Sequence, residues 1–118
     1  MTTGTKSKKT VAPPATAAVR GSRTGRPVMA LLDLLGRRWT MRVLWELRDG
    51  RRTFRMLQDA SGGISPAVLN DRLRELREDR LVDLEGGAGY GLTPLGTELL
   101  TKFSPIVAWA DKWAKRKG

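Results

Sequence analysis

The sequence predicts a mainly α-helical domain that carries one small β-hairpin, and three observations point to it. Apolar residues recur at spacings of three and four through most of the chain. One short stretch, Leu81-Val82-Asp83-Leu84-Glu85, switches to alternation, the period of a half-buried strand. A run of small residues, Gly86-Gly87-Ala88-Gly89, then permits a tight reversal into a second short strand, Tyr90-Gly91-Leu92.

The elements follow in order. Residues 1–26 hold almost no large apolar side chain and cannot bury enough surface to order themselves, so they are expected to be a disordered basic tail, with the folded domain spanning residues 27–118. Val28, Leu31, Leu32 and Leu35 mark a first helix after Pro27, ended near Gly36. Met41, Val43, Leu44 and Leu47 repeat the pattern over residues 39–47, and Asp49-Gly50 supplies turn chemistry. Thr53 can cap a short third helix through Phe54, Leu57 and Ala60, stopped by Ser61-Gly62-Gly63. Ser65-Pro66 is the clearest start signal, a capping hydroxyl followed by a proline whose fixed φ and missing N–H suit the first helical position. Leu69, Leu73 and Leu76 line one face of that fourth helix, with Ala67, Asp71, Arg74 and Glu78 opposite. After the hairpin, Thr93-Pro94 repeats the cap-then-proline signal and opens a long last helix, in which Pro105 predicts a bend. Four helices, a hairpin and a final helix, without internal repeats, make the plan of a winged helix-turn-helix domain.

Composition removes most alternatives. The 118 residues have room for one domain and a tail, with no apolar run long enough to span a bilayer and no secretory signal pattern, so a cytoplasmic location is expected. There is neither Cys nor His, which excludes disulfides, Cys/His zinc sites and any nucleophile paired with an imidazole base. No Gly-rich phosphate loop accompanies the scattered carboxylates; neither an enzyme nor a cofactor is implied. The net charge of +10 lies at the ends: six basic residues and no acidic one in residues 1–26, and four more in residues 112–117. The segment between is formally neutral, so the ends are either solvated tails or a source of phosphate attraction.

In a helix-turn-helix the second helix of the motif enters the major groove with its N-terminal residues against base edges. Here that helix begins at Ser65 and Pro66, and its exposed side offers Asn70, able to pair with adenine, and Arg74, able to pair with guanine or grip a phosphate. Polar residues opposite a leucine stripe also suit any surface helix; the neighbouring hairpin tips the balance towards DNA. Arg51 and Arg52 precede the Thr53 cap, where they could bind a phosphate or form a solvated pair, and Arg55 is a weaker candidate of the same kind. In the last helix Leu99, Phe103, Ile106, Ala110 and Trp113 form a four-three seam, widened by Leu100, Val107, Trp109 and Ala114. That seam is either a dimer interface or a lid over the chain's own core. Trp45, in the second helix, either lines a ligand pocket or packs simply.

The chain resembles the HxlR family of bacterial winged-helix regulators, related in plan to the MarR family, over about residues 27–113. The resemblance rests on Leu34-Leu35-Gly36-Arg37-Arg38-Trp39-Thr40, Asp49-Gly50-Arg51-Arg52-Thr53-Phe54, Gly63-Ile64-Ser65-Pro66-Ala67-Val68-Leu69 continuing to Arg72-Leu73-Arg74-Glu75-Leu76, and Tyr90-Gly91-Leu92-Thr93-Pro94-Leu95-Gly96. It implies a homodimer joined mainly by its terminal helices and bound to a two-fold symmetric operator on double-stranded DNA, with Ser65, Pro66 and Arg74 matching the family's recognition helix. Ala67 and Asp71 stand where many members have Lys and Gln, so the base preference does not carry over, and Asp71 would repel a nearby phosphate. Arg26 replaces a Cys through which some relatives sense oxidants, which rules out thiol sensing and leaves any small-molecule effector open. The wing carries no Lys or Arg, and the basic tail is expected to substitute for it as a minor-groove arm. The expected function is thus a sequence-specific DNA-binding transcriptional regulator acting as a homodimer. Its rivals are a sequence-indifferent architectural DNA-binding protein and a winged-helix protein-interaction module.

Overall fold

A computed structural model describes residues 25–118. The element order is α1 (Pro27–Leu35), α2 (Thr40–Glu46), α3 (Phe54–Ala60), α4 (Pro66–Glu78), β1 (Val82–Glu85), β2 (Gly89–Leu92) and α5 (Pro94–Lys117), with a 3-10 turn at Gly86–Ala88 between the strands. This is a mainly helical winged helix-turn-helix architecture. The expected disorder and minor-groove role of the basic tail fall almost wholly outside the described residues.

The chain divides after Met41 into two units. In the first, Pro27 occupies the opening position of α1, and the Gly36 amide closes the helix onto the Leu32 carbonyl at 2.8 Å. Leu34 is buried, whereas Val28 and Leu32 are exposed. Trp39 sits at φ 79°, a left-handed conformation that ends the Gly36-to-Trp39 turn and starts α2 one residue later than the apolar pattern suggests.

From Arg42 onward the buried apolar set is Val43, Leu44, Leu47, Leu57, Ile64, Leu69, Leu73, Leu76, Leu81 and Val82. The three leucines of α4 are at most 1% exposed, as the period of 3.6 requires. Thr53 and Ser65 cap α3 and α4 by accepting the Met56 and Val68 amides, each at 3.2 Å. Thr93 caps α5 by accepting the Gly96 amide at 3.0 Å, and its hydroxyl donates to the Arg80 carbonyl at 2.7 Å, tying the start of α5 to the end of α4.

β1 and β2 pair antiparallel with Val82 opposite Leu92, Asp83 opposite Gly91, Leu84 opposite Tyr90 and Glu85 opposite Gly89. Val82 is buried against the body, but Leu84, two residues further along the same face, is exposed because the hairpin has by then left the core. A further bridge joins Arg52 to the other edge of β2, with Arg52 N–H donating to Tyr90 at 3.0 Å and Tyr90 N–H donating to Arg52 at 2.8 Å. The segment before α3 therefore acts as a minimal third strand.

α5 is one helix of 24 residues that continues through Pro105. The proline removes one backbone donor without ending the helix. In α5 only Gly96 is buried. Among the described residues no helix is long and apolar enough to cross a membrane, and no group of three or more Asp or Glu is placed to hold a metal.

Candidate nucleic-acid interface

α4 presents its side chains to opposite environments because its sequence is strictly two-sided. Leu69, Leu73 and Leu76 anchor it in the core, while Ser65, Pro66, Ala67, Asn70 and Arg74 are exposed and Asp71 is half-buried. In its first turn Pro66 has no amide hydrogen, Ser65 Oγ satisfies the Val68 amide and the Leu69 amide donates to the Ser65 carbonyl, which leaves the Ala67 amide at the positive end of the helix dipole. Arg74 Nη2 and Asp71 Oδ1 lie 3.1 Å apart, one turn along the surface, with about half of each side chain exposed. Asp71 thus holds the Arg74 guanidinium along the helix axis and screens part of its charge, a consequence of i,i+3 spacing that the residue types alone do not reveal.

The Arg51-Arg52 pair is placed otherwise than a phosphate-gripping pair would be. Arg51 lies across the wing: its Nη2 is 2.6 Å from Asp83 Oδ1 and 3.2 Å from Glu85 Oε2, and its Nη1 donates to the Gly89 carbonyl at 3.0 Å. The hairpin register explains how this groove forms. Asp83 and Glu85 share one face of β1, and the residues opposite them on β2, Gly91 and Gly89, have no side chains. A Cβ at Gly91 would come within 2.8 Å of the Arg51 side chain, and one at Gly89, which sits at φ 90°, would strike the Arg52 backbone. Arg52 is used in the opposite direction, its Nε donating to the Glu46 carbonyl at the end of α2 at 2.7 Å. Both guanidinium groups are therefore committed within the fold, and their side chains are only 27% and 33% exposed. Arg55 is exposed and only loosely paired with Asp59, at 3.8 Å.

Arg42 extends this internal use of arginine. It pairs with Glu46 at 3.0 Å and donates to the Ala60 carbonyl at 2.9 Å, closing the C-terminal end of α3. Trp45 is 37% exposed with the Arg48 guanidinium 4.2 Å above its ring, a packed surface arrangement. The sequence reading missed the Arg51 clamp, although a signal existed: two carboxylates at i,i+2 on one strand and two glycines at i,i+2 on its partner mark a groove for a long cation.

Along α5, Leu99, Phe103 and Ala110 are partly buried, while Ile106 and Trp113 are 52% and 49% exposed, beside exposed Val107 and Trp109. Trp109 and Trp113 stack with centroids 6.2 Å apart, and Lys117 lies 4.6 Å over the Trp113 ring.

Comparison with known proteins agrees with this geometry. Residues 34–118 match the HxlR-like helix-turn-helix family. The HTH-type transcriptional regulator YodB of Bacillus subtilis is 32% identical over 89 residues, which cover 70% of this chain and 80% of that protein. A crystal structure of quinone-bound YodB superposes with a TM-score of 0.68 at 33% identity, covering 72% of this chain and 96% of that one. A possible HxlR family transcriptional factor from Thermoplasma volcanium superposes with a TM-score of 0.67 at 26% identity, covering 76% of this chain and 86% of that one. With its two-sided α4, its hairpin wing and a family match over most of its length, the chain belongs to the HxlR-like helix-turn-helix family of DNA-binding transcriptional regulators.

Proposed function

We propose that the protein acts in the cytoplasm as a homodimer that reads a two-fold symmetric operator, without catalysing a reaction. The observation that carries this reading is the contrast on α4, whose leucines are sealed in the core while Ala67, Asn70 and Arg74 face outward. In that arrangement Ser65, Pro66 and Ala67 bring the helix start to the floor of the major groove. Asn70 and Arg74 then reach base edges, and Asp71 sets which bases are tolerated. Leu99, Phe103, Ile106, Ala110 and Trp113 join the two copies, and two-fold symmetry places the paired helices about one helical turn of DNA, ~34 Å, apart. Any effector binds without a thiol, since the chain has no cysteine. The basic residues of 1–26 add phosphate attraction that the glycine-rich wing lacks.

The test is a mobility-shift titration with the intergenic DNA upstream of the protein's own coding region, run beside light scattering at micromolar concentration. A discrete complex that resists random competitor DNA, formed by a dimer, is expected. Equal competition by random DNA would replace operator reading with architectural binding. A stable monomer without DNA affinity would favour a protein-interaction module.

A further inference from the structure

We propose that Arg77 is a DNA-backbone contact and that the crevice between the last turn of α4 and strand β1 seats a phosphate of the duplex. The inference rests on α4 being the helix that enters the groove. Helix geometry supplies the first reason. Asn70, Arg74 and Arg77 stand at i, i+4 and i+7, so at 100° per residue Arg77 lies within about 20° of Asn70 and roughly 10.5 Å further along the axis. It continues the outward face of α4 towards the wing.

The second reason is the space beside it. Arg74, Arg77, Glu78, Val82, Asp83 and Leu84 line an open crevice of about 460 Å3 between α4 and β1. Of the two carboxylates there, Asp83 is already occupied by Arg51 at 2.6 Å. The third reason is availability. Arg51 and Arg52 are committed inside the fold, and Arg74 is held by Asp71. The guanidinium groups of Arg77 and Arg80, by contrast, have no hydrogen-bond or ion-pair partner among the described residues. The wing tip, Gly86–Ala88, has no cation to offer.

Arg80 adds an independent sign. It occupies φ 63° just beyond α4, where its amide donates to the Arg77 carbonyl and the Leu81 amide to that of Leu76. That closing turn favours glycine, so an exposed arginine there keeps a charge at the cost of backbone strain. A purely structural account of Arg77 exists, because a cation in the last turn complements the helix dipole.

The two accounts separate in a salt titration of the full chain on a labelled random-sequence duplex. Arg77→Ala should lower affinity severalfold and reduce the steepness of log affinity against log salt by about 0.9, the release of one phosphate contact, while Arg77→Lys keeps the slope. Arg80→Gly should bind DNA more weakly than the wild type although it melts at higher temperature. An unchanged slope in Arg77→Ala, with the wild type binding normally, would overturn the proposal and leave the dipole role. Inorganic pyrophosphate probes a small-molecule source of the same chemistry. Its stabilising the wild type but not Arg77→Ala, with the slope unmoved, would assign the crevice to a free phosphate compound and overturn the DNA contact. A wild type without salt-dependent DNA affinity would defeat the operator reading itself, an outcome distinct from failure at Arg77 alone.

Discussion

α4 and α5 begin alike and end differently. Each opens with a hydroxyl cap followed by proline, and each carries an apolar stripe at helical spacing. Yet α4 buries Leu69, Leu73 and Leu76 almost completely, whereas α5 leaves Ile106, Val107, Trp109 and Trp113 between 43% and 56% exposed. An apolar stripe thus states that a helix needs a partner without saying where that partner is. For α4 the partner is the chain's own core; on α5 the stacked tryptophans stay exposed and form an apolar surface of the kind that marks an interaction site.

This contrast can be broken most directly by truncating one helix and charging the other. Leu73→Ala should destabilise the fold by about 2–5 kcal/mol in denaturant titration, since it removes packed atoms and leaves a cavity. Ile106→Asp should instead leave the helical circular-dichroism signal intact and halve the mass seen by light scattering. If Ile106→Asp unfolded the chain as Leu73→Ala does, the distinction between the two stripes would collapse.

The next largest effect concerns the outward face of α4. Arg74→Ala should weaken operator binding by about 1–3 kcal/mol with relaxed preference at one base pair, as measured by competition among operator variants. A uniform loss across all sequences would mark Arg74 as a phosphate contact. Arg51→Ala should behave in the opposite way. Its partly exposed clamp is worth about 1 kcal/mol of stability after allowance for solvent screening, and the salt slope of DNA binding should not move. A slope reduced by about one unit would restore Arg51 to the DNA surface. The smallest effect is a gain: Arg80→Gly should raise stability by about 0.5–1 kcal/mol in the same titration, because glycine adopts the left-handed conformation without a Cβ clash.

Much of this was legible before any coordinates. The caps at Thr53, Ser65 and Thr93 appear where a hydroxyl precedes a helical pattern, because capping is a local contact between residues three apart. The leucines of α4 were equally legible, since periodicity identifies an inner face whenever the core belongs to the same chain. Arg51 and Arg52 were not. Their neighbours in sequence suggested a helix N-terminus, but their actual partners, Asp83, Glu85 and Gly89 for one and Glu46 for the other, are set by the hairpin register and by the path of the chain from α2.

What the amino-acid order determined alone is the list of elements, their caps, the absence of thiol and imidazole chemistry, and which face of α4 turns inward, because each depends on contacts within a few residues or on composition. What only the tertiary structure decided is the use of each arginine. A guanidinium is long, flexible and indifferent to which carboxylate or carbonyl it meets, so its partner is chosen by whatever the fold brings within reach. That choice locked Arg51 across the glycines of the wing and left Arg77 open beside it.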